Sequence, residues 1–255
     1  MVRTAFINEK GGTGKTTLAV HTAAWIAENL GKKVLLVDMD PQGQVGKTLG
    51  FPARDERHPA STLLQDKEAR PGDLAEPTAI DNLDVIRSDK TLASVAEKIA
   101  RRKDAHRILD EKFQRYRKHD VVIFDSPPSL GILTQNILWA SQNVVLPVAC
   151  TYLALDGCAE LIQTIDQVQE ESGRKTPAVC AIVPTFRRRT RLANEILERL
   201  DEYFPDWLTD SIGFYVAVDE AQSHGKTIWQ YRKRSTAAQV FNDVCAQIAA
   251  RMGVK

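Results

Sequence analysis

The sequence predicts an α/β fold: one domain over residues 1–255, with a mostly parallel, twisted sheet and helices on both of its faces. Three observations predict it. Short apolar runs without polar alternation read as strands buried on both sides. Longer amphipathic stretches fall between them, the spacing of strand–helix–strand units. The chain has 255 residues, of which 43% are hydrophobic and 26% charged, enough to bury a full core without disulfides.

The strands follow from the apolar runs Thr4–Ile7, Lys33–Val37, Leu83–Ile86, Val121–Phe124, Val144–Pro147 and Ala178–Val183, with a weaker one at Leu208–Ile212. Helical periodicity covers Thr16–Leu30, Thr91–Arg102, Ala105–Lys118, Gly131–Ala140, Ala154–Glu171, Leu192–Tyr203 and Thr236–Met252. The stretch from Gly50 to Asn82 is rich in Pro, Asp and Arg with poor periodicity, and reads as loops with one short helix. No repeat or low-complexity tract interrupts the pattern.

A formal net charge of +1 points to no partner by itself, so a nucleic-acid reading depends on where the charges cluster. Cys150, Cys158, Cys180 and Cys245 form no CxxC pair and lie in or beside apolar runs. They read as small buried residues of a reducing compartment. The chain opens on a strand without a signal peptide, and no apolar run approaches the ~20 residues of a membrane span. The expectation is a cytoplasmic protein with no membrane partner.

The chemistry begins at "NEKGGTGKTT", Asn8–Thr17. Between a strand and a helix, a glycine-rich turn ending in Gly14-Lys15-Thr16 fits the phosphate-loop template loosely and predicts a single P-loop NTPase domain. Backbone N–H groups from Gly12 to Thr17 would converge on phosphates, with the helix N-terminus adding positive potential. Lys15 would reach the β- and γ-phosphates, and the Thr16 hydroxyl would ligate Mg²⁺. In "VVIFDSPPSLG" an apolar strand ends at Asp125, the Walker B pattern, whose carboxylate would hold the Mg²⁺ shell. In "LLVDMDPQG" both Asp38 and Asp40 follow a strand and would emerge at the carboxyl edge of the sheet. Asp40 is placed to orient the attacking water, and Asp38 is the alternative holder of a magnesium-bound water. The template needs one lysine. Lys10, on the other side of the glycines, is unexplained by it.

Together "KGGTGKTT", "VDMDPQG", "FDSPPSLG" and "DEAQSHGKTIWQY" make the chain resemble the deviant Walker A ATPases of the ParA/MinD family, and within it the ParA (Soj) branch. The resemblance runs over nearly the whole length, and the last stretch is similar to the ParA ending "EAPSHGKP…Y". It implies that Lys10 is the signature lysine, which crosses into the partner's site when two ATP-bound subunits pack face to face. It implies a loop set of Gly11, Gly12, Thr13, Gly14, Lys15, Thr16 and Thr17, with base-binding backbone at Pro184 and Thr185. It implies a homodimer in ATP that binds double-stranded DNA without sequence preference. The dimer would be released by a slow hydrolysis that a ParB-like or other cargo adaptor stimulates, which makes the protein nucleoid-associated.

The basic run "FRRRTR" supplies Arg187, Arg188, Arg189 and Arg191, and "YRKRS" supplies Arg232, Lys233 and Arg234. Arg189 matches a DNA-contacting arginine of the family. One departure stands out: "GFYVAV" replaces the family's "PRNVR", with Gly213 at the proline and Ala217 at an arginine. Three rival readings remain. A MinD-like membrane anchor would need an amphipathic final helix, but Val240, Phe241, Val244, Ile248 and Met252 read better as a core stripe. A metabolic or redox enzyme on the same scaffold would need bridging cysteines or a substrate pocket, and "DSPPSLG" has no cysteine. A ParA-like ATPase that positions another cargo, such as a carboxysome or a chemoreceptor cluster, would share every motif.

Overall fold

The computed structural model describes residues 1–52, 57–151 and 154–255. The first half runs β1 (Val2–Phe6), α1 (Lys15–Leu30), β2 (Val34–Asp38), α2 (Gln44–Thr48), α3 (Pro59–Gln65), α4 (Pro71–Leu74), β3 (Glu76–Pro77) and β4 (Leu83–Ile86). It continues with α5 (Thr91–Ile99), a 3-10 turn (Ala105–Arg107), α6 (Ile108–Gln114), β5 (Val121–Asp125), α7 (Ile132–Ala140) and β6 (Asn143–Ala149). The last third holds α8 (Ala154–Ser172), β7 (Ala178–Thr185), α9 (Arg191–Tyr203), α10 (Val216–Ser223), α11 (Ile228–Arg232) and α12 (Thr236–Arg251). The strands form one sheet in the order β3-β4-β2-β5-β1-β6-β7. Every pairing is parallel except that of β3 with β4.

Alternate residues of the central strands feed two cores, as the strand period of two requires. On one face Ala5, Leu35, Val37, Val122 and Phe124 pack under α3, α5, α6, α7, α8 and α9. On the other, Phe6, Val34, Leu36, Val121 and Ile123 pack under α1 and α12, with Val45, Val218 and Ile228 from α2, α10 and α11. Phe113 and Phe124 meet edge to face at 5.2 Å. Phe241, Val244 and Ile248 of α12 and Met252 just past its end are buried in the second core, with Val240 packed at its margin. The stripe is core, as its spacing predicts.

Several expectations need correction. Leu208–Ile212 is not a continuous strand: it meets β7 at an isolated bridge between Leu208 and Ile182 and at the Ile212 N–H on the Pro184 carbonyl, and the next bridge, Gly213 with Arg187, lies past the end of β7. Between those bridges Asp210 turns away, its backbone N–H and its carboxylate both bonded to the Gln247 amide of α12. The stretch from 50 to 82 carries two short helices and the edge strand β3 besides its loops, and residues 53–56 of it lie outside the described residues. Helix α6 stops at Gln114 rather than Lys118, because Tyr116 turns back to bond His119, whose other ring nitrogen meets Asp84. Cys158 and Cys245 are buried, but Cys150 and Cys180 are only half-buried.

The short helices α10 and α11 were not visible as periodic stretches. They fold over α1: the Gln222 amide donates to the Thr17 hydroxyl, and the Ile228 N–H donates to His21 Nε2. His21 is fully buried, and burial lowers its pKa to about 4, so the ring is neutral. Its Nδ1–H then donates to the Thr17 carbonyl. Between these anchors the chain backs onto Gly50 at Gly225. A Cβ on Gly225 would lie 2.4 Å from Gly50 Cα, and φ there is +66°. Both the contact and the left-handed backbone demand glycine. Gly225→Ala should therefore destabilise the protein by about 2 kcal/mol or more, read as a lowered midpoint in urea unfolding.

Candidate functional site

The site is built on the carboxyl edge of β1, β2 and β5, where an open parallel sheet presents its loops. The phosphate loop leaves β1 at Ile7. Asn8 pins it, its side-chain amide donating to the Pro147 carbonyl and its Oδ1 accepting from the Lys10 N–H. Gly12 (φ 71°) and Gly14 (φ 85°) take left-handed conformations that turn the chain into α1. The first turn of α1 has no acidic residue and no side-chain cap, so its free N–H groups face an anion site.

Around this loop lies a cavity of about 280 Å³ lined by Gly11–Thr17 and by Asp40, Gln44, Thr48, Pro128, Phe186 and Gln222. A larger cleft of about 940 Å³ lies between the C-terminal end of α1 and α12. It has no glycine-rich loop, and Glu28, Asp81 and Asp243 in its lining disfavour phosphate, so the smaller cavity is the site.

Lys15 is buried, and its Nζ donates to the Lys10 carbonyl at 3.1 Å. Burial lowers its pKa, while Asp125 and Asp40 oppose that shift. The Thr16 hydroxyl donates to Asp125 Oδ2 at 2.6 Å. Asp125 is wholly buried, and burial pushes its pKa up to about 7 against the Thr16 bond and the Lys15 charge. Its other oxygen, Oδ1, has no hydrogen-bond partner among the described residues. A buried orphan carboxylate oxygen beside a threonine hydroxyl fits the oxygen-donor, water-retaining shell of Mg²⁺.

The two aspartates after β2 separate here. Asp38 Oδ1 accepts from the Asp40 N–H and Oδ2 from the Val45 N–H, so its carboxylate shapes the loop. Burial, and then the Asp125 charge, push its pKa well above the usual carboxylate range. Asp40 lines the cavity, with one oxygen accepting from the Gln42 N–H.

Lys10 points elsewhere. It does not line the phosphate cavity, and its Nζ lies 3.6 Å from where a Cβ on Gly157 would sit, at the start of α8. The two lysines of one loop thus diverge. The Thr185 hydroxyl donates to the Thr13 carbonyl and packs β7 against the loop, while the Pro184 carbonyl accepts from the Ile212 N–H. Phe186, Gln222, Gln44, Thr48 and Pro128 belong to the cavity and were missed, since no motif marks them.

The basic residues are all exposed. Arg187 bonds Ser211 and Asn194, Arg191 pairs with Glu195, and Arg232 pairs with Glu220. The side chains of Arg188 and Arg189 make no such contact among the described residues. The two clusters flank α10: the backbone of Arg187 bridges Gly213 before it, and Glu220 within it holds Arg232.

Comparison with known proteins agrees with this geometry. A family model described as an AAA domain matches residues 1–177. The chain is 38% identical over 251 residues to the sporulation initiation inhibitor protein Soj of Bacillus subtilis, covering 96% of this chain and 97% of that one. It is 34% identical to the chromosome-partitioning ATPase Soj of Treponema pallidum, covering 97% of each. Among solved structures, cobyrinic acid a,c-diamide synthase from Mycobacterium smegmatis with bound ADP and magnesium superposes with a TM-score of 0.80 at 25% identity, over 96% of this chain and 92% of that one.

Lys15→Ala removes the cavity's buried cation while leaving the loop glycines in place. Affinity for ATP, measured by calorimetry, should fall at least about a hundredfold, and an unchanged affinity would remove Lys15 from the site.

Proposed function

The chain belongs to the ParA/MinD family of ATPases, and on that premise we propose a positioning ATPase that works as a nucleotide-gated homodimer on DNA. ATP joins two subunits, the dimer binds double-stranded DNA without sequence preference, and hydrolysis stimulated by a ParB-like or other cargo adaptor releases it. The protein would then be cytoplasmic and nucleoid-associated. Among the described residues no helix is long and apolar enough to cross a membrane. The observation that carries the reading is the divergence of Lys10 and Lys15, one turned out of its own phosphate cavity and the other buried in it.

Each residue then has a task. Lys15 exchanges the Lys10 carbonyl for the β- and γ-phosphates, and the N–H groups of Gly12–Thr17 hold the remaining oxygens. Thr16 and Asp125 would hold Mg²⁺, which would supply charge neutralisation for the triphosphate. Asp40 accepts a hydrogen bond from the attacking water and orients it. Lys10 of each subunit completes the partner's site, in the manner of a cation supplied in trans. Pro184 and Thr185 border the base. Arg188 and Arg189 take DNA phosphates first, since neither has a side-chain partner to give up among the described residues. Arg187, Arg191, Arg232, Lys233 and Arg234 extend the strip.

The likeness to an amide synthase raises the metabolic-enzyme reading, but the similarity to the Soj proteins is higher in identity and equally complete in length.

Two variants test the scheme. Asp40→Ala should cut hydrolysis by about a hundredfold or more and accumulate a dimer in ATP by light scattering; a monomer there would dismiss the assignment. With hydrolysis so blocked, random-sequence duplex should bind in ATP and not in ADP. For about 6–8 phosphates engaged, the log–log salt slope should be roughly −5 to −7. Arg189→Glu should still dimerise yet lose DNA, and undiminished DNA binding would move the interface to another face.

A further inference from the structure

Gln222 reaches the nucleotide cavity from α10, outside every loop motif. One hydrogen of its amide is given to the Thr17 hydroxyl at 2.8 Å. Its carbonyl Oε1 takes no hydrogen bond among the described residues and is not a buried orphan, and Gln222 lines the cavity. The side chain is also held in place. One turn further along α1 the His21–Ile228 bond anchors the same segment, and a capping box of Thr227 and Gln230 stiffens the start of α11.

The direction of the nucleotide along the cavity follows from Thr16 and Thr17. Successive helical residues point about 100° apart. The Thr16 hydroxyl faces Asp125, and with Asp40 it marks the metal and γ-phosphate end. The Thr17 hydroxyl faces away from that end, towards Gln222. The Phe186 ring, which also lines the cavity, comes within 3.5 Å of where a Cβ on Gly14 would lie. A nucleoside leaving the phosphate loop on the Thr17 side passes Gln222, and the first group past the α-phosphate is the sugar.

We infer that Gln222 is a specificity-determining residue that recognises the ribose, its carbonyl oxygen accepting from a ribose hydroxyl while its N–H holds Thr17. The inference rests on the nucleotide-site reading above. The contact would be made identically to ATP and ADP, so it sets affinity for ribonucleotides without sensing the γ-phosphate. A fixed amide spends little entropy in binding, and an unpaired acceptor facing a deoxy sugar costs the missing bond.

The test measures binding of ATP, 2′,3′-dideoxy-ATP and inorganic tripolyphosphate, each with magnesium, to the wild type and to Gln222→Ala. The wild type should prefer ATP to the dideoxy analogue by about five- to tenfold. Gln222→Ala should bind tripolyphosphate as the wild type does and lose that preference. A preference retained in the variant overturns the assignment. So does a wild type that binds both nucleotides equally, or tripolyphosphate affinity that falls in parallel with ATP, which would reduce Gln222 to a prop for Thr17. A wild type that binds neither ATP nor tripolyphosphate would instead overturn the underlying site.

Discussion

Asp38 and Asp125 stand side by side at the ends of β2 and β5, register partners and both wholly buried. Two carboxylates that close, out of water, repel strongly unless each is given donors or a cation. The loops at this edge of the sheet answer that constraint. Asp38 is satisfied by two backbone N–H groups, and in receiving them it folds the chain after β2 so that Asp40 enters the cavity. Asp125 receives only the Thr16 hydroxyl, and its second oxygen is left without a partner among the described residues. The neutralising charge is Lys15, itself held in place by the Lys10 carbonyl. Charge is therefore left unresolved at one point, the point where a divalent ion and a polyphosphate would resolve it together.

The C-terminal segment translates that centre outward. Thr17, the residue after the metal-facing threonine, is held by Gln222 through its hydroxyl and by His21 through its carbonyl. His21 in turn holds Ile228. Both anchors belong to the segment that carries Glu220 and Arg232, and its entry at Gly213 is bridged to Arg187. A shift of α1 on nucleotide binding would thus bear directly on both basic clusters. The apolar residues of "GFYVAV" do not leave this face inert: Phe214 and Val216 are exposed large apolar side chains, and the Phe214 ring lies 6.2 Å from that of Phe186.

What was legible in the sequence was whatever depends on local pattern. The interior strands announced themselves because burial on both faces removes polar residues, and α1 and α12 because sixteen residues give a periodic stripe room to repeat. The phosphate loop was legible because glycine, lysine and threonine are each demanded there by backbone or charge. Helices α2, α10 and α11, of eight residues or fewer, were not, since two turns cannot establish a period and their stability comes from packing into the second core and on one another. The contact between Gly50 and Gly225 joins residues far apart in the chain, and neither glycine announces a partner. Sequence position alone favours Asp40 over Asp38 for the attacking water, since it lies further out from the strand, but only the hydrogen bonds show that Asp38 ties the loop after β2. The expectation of a strand at Leu208–Ile212 read apolar ends correctly and missed that Asp210 belongs to Gln247.

The sheet has two lateral edges, and neither offers a clean row of backbone donors and acceptors. At one, β3 is two residues long, runs against its neighbour and contains Pro77, which has no N–H to give. At the other, the segment from Trp207 to Gly213 lies over β7 and takes the N–H and C=O of Ile182 and the C=O of Pro184. Growth by adding strand to strand is hindered at both edges among the described residues. Two copies are then more readily joined through side chains and loops, whose contacts can be remade each time a small molecule arrives or leaves, and an association of that kind can be undone.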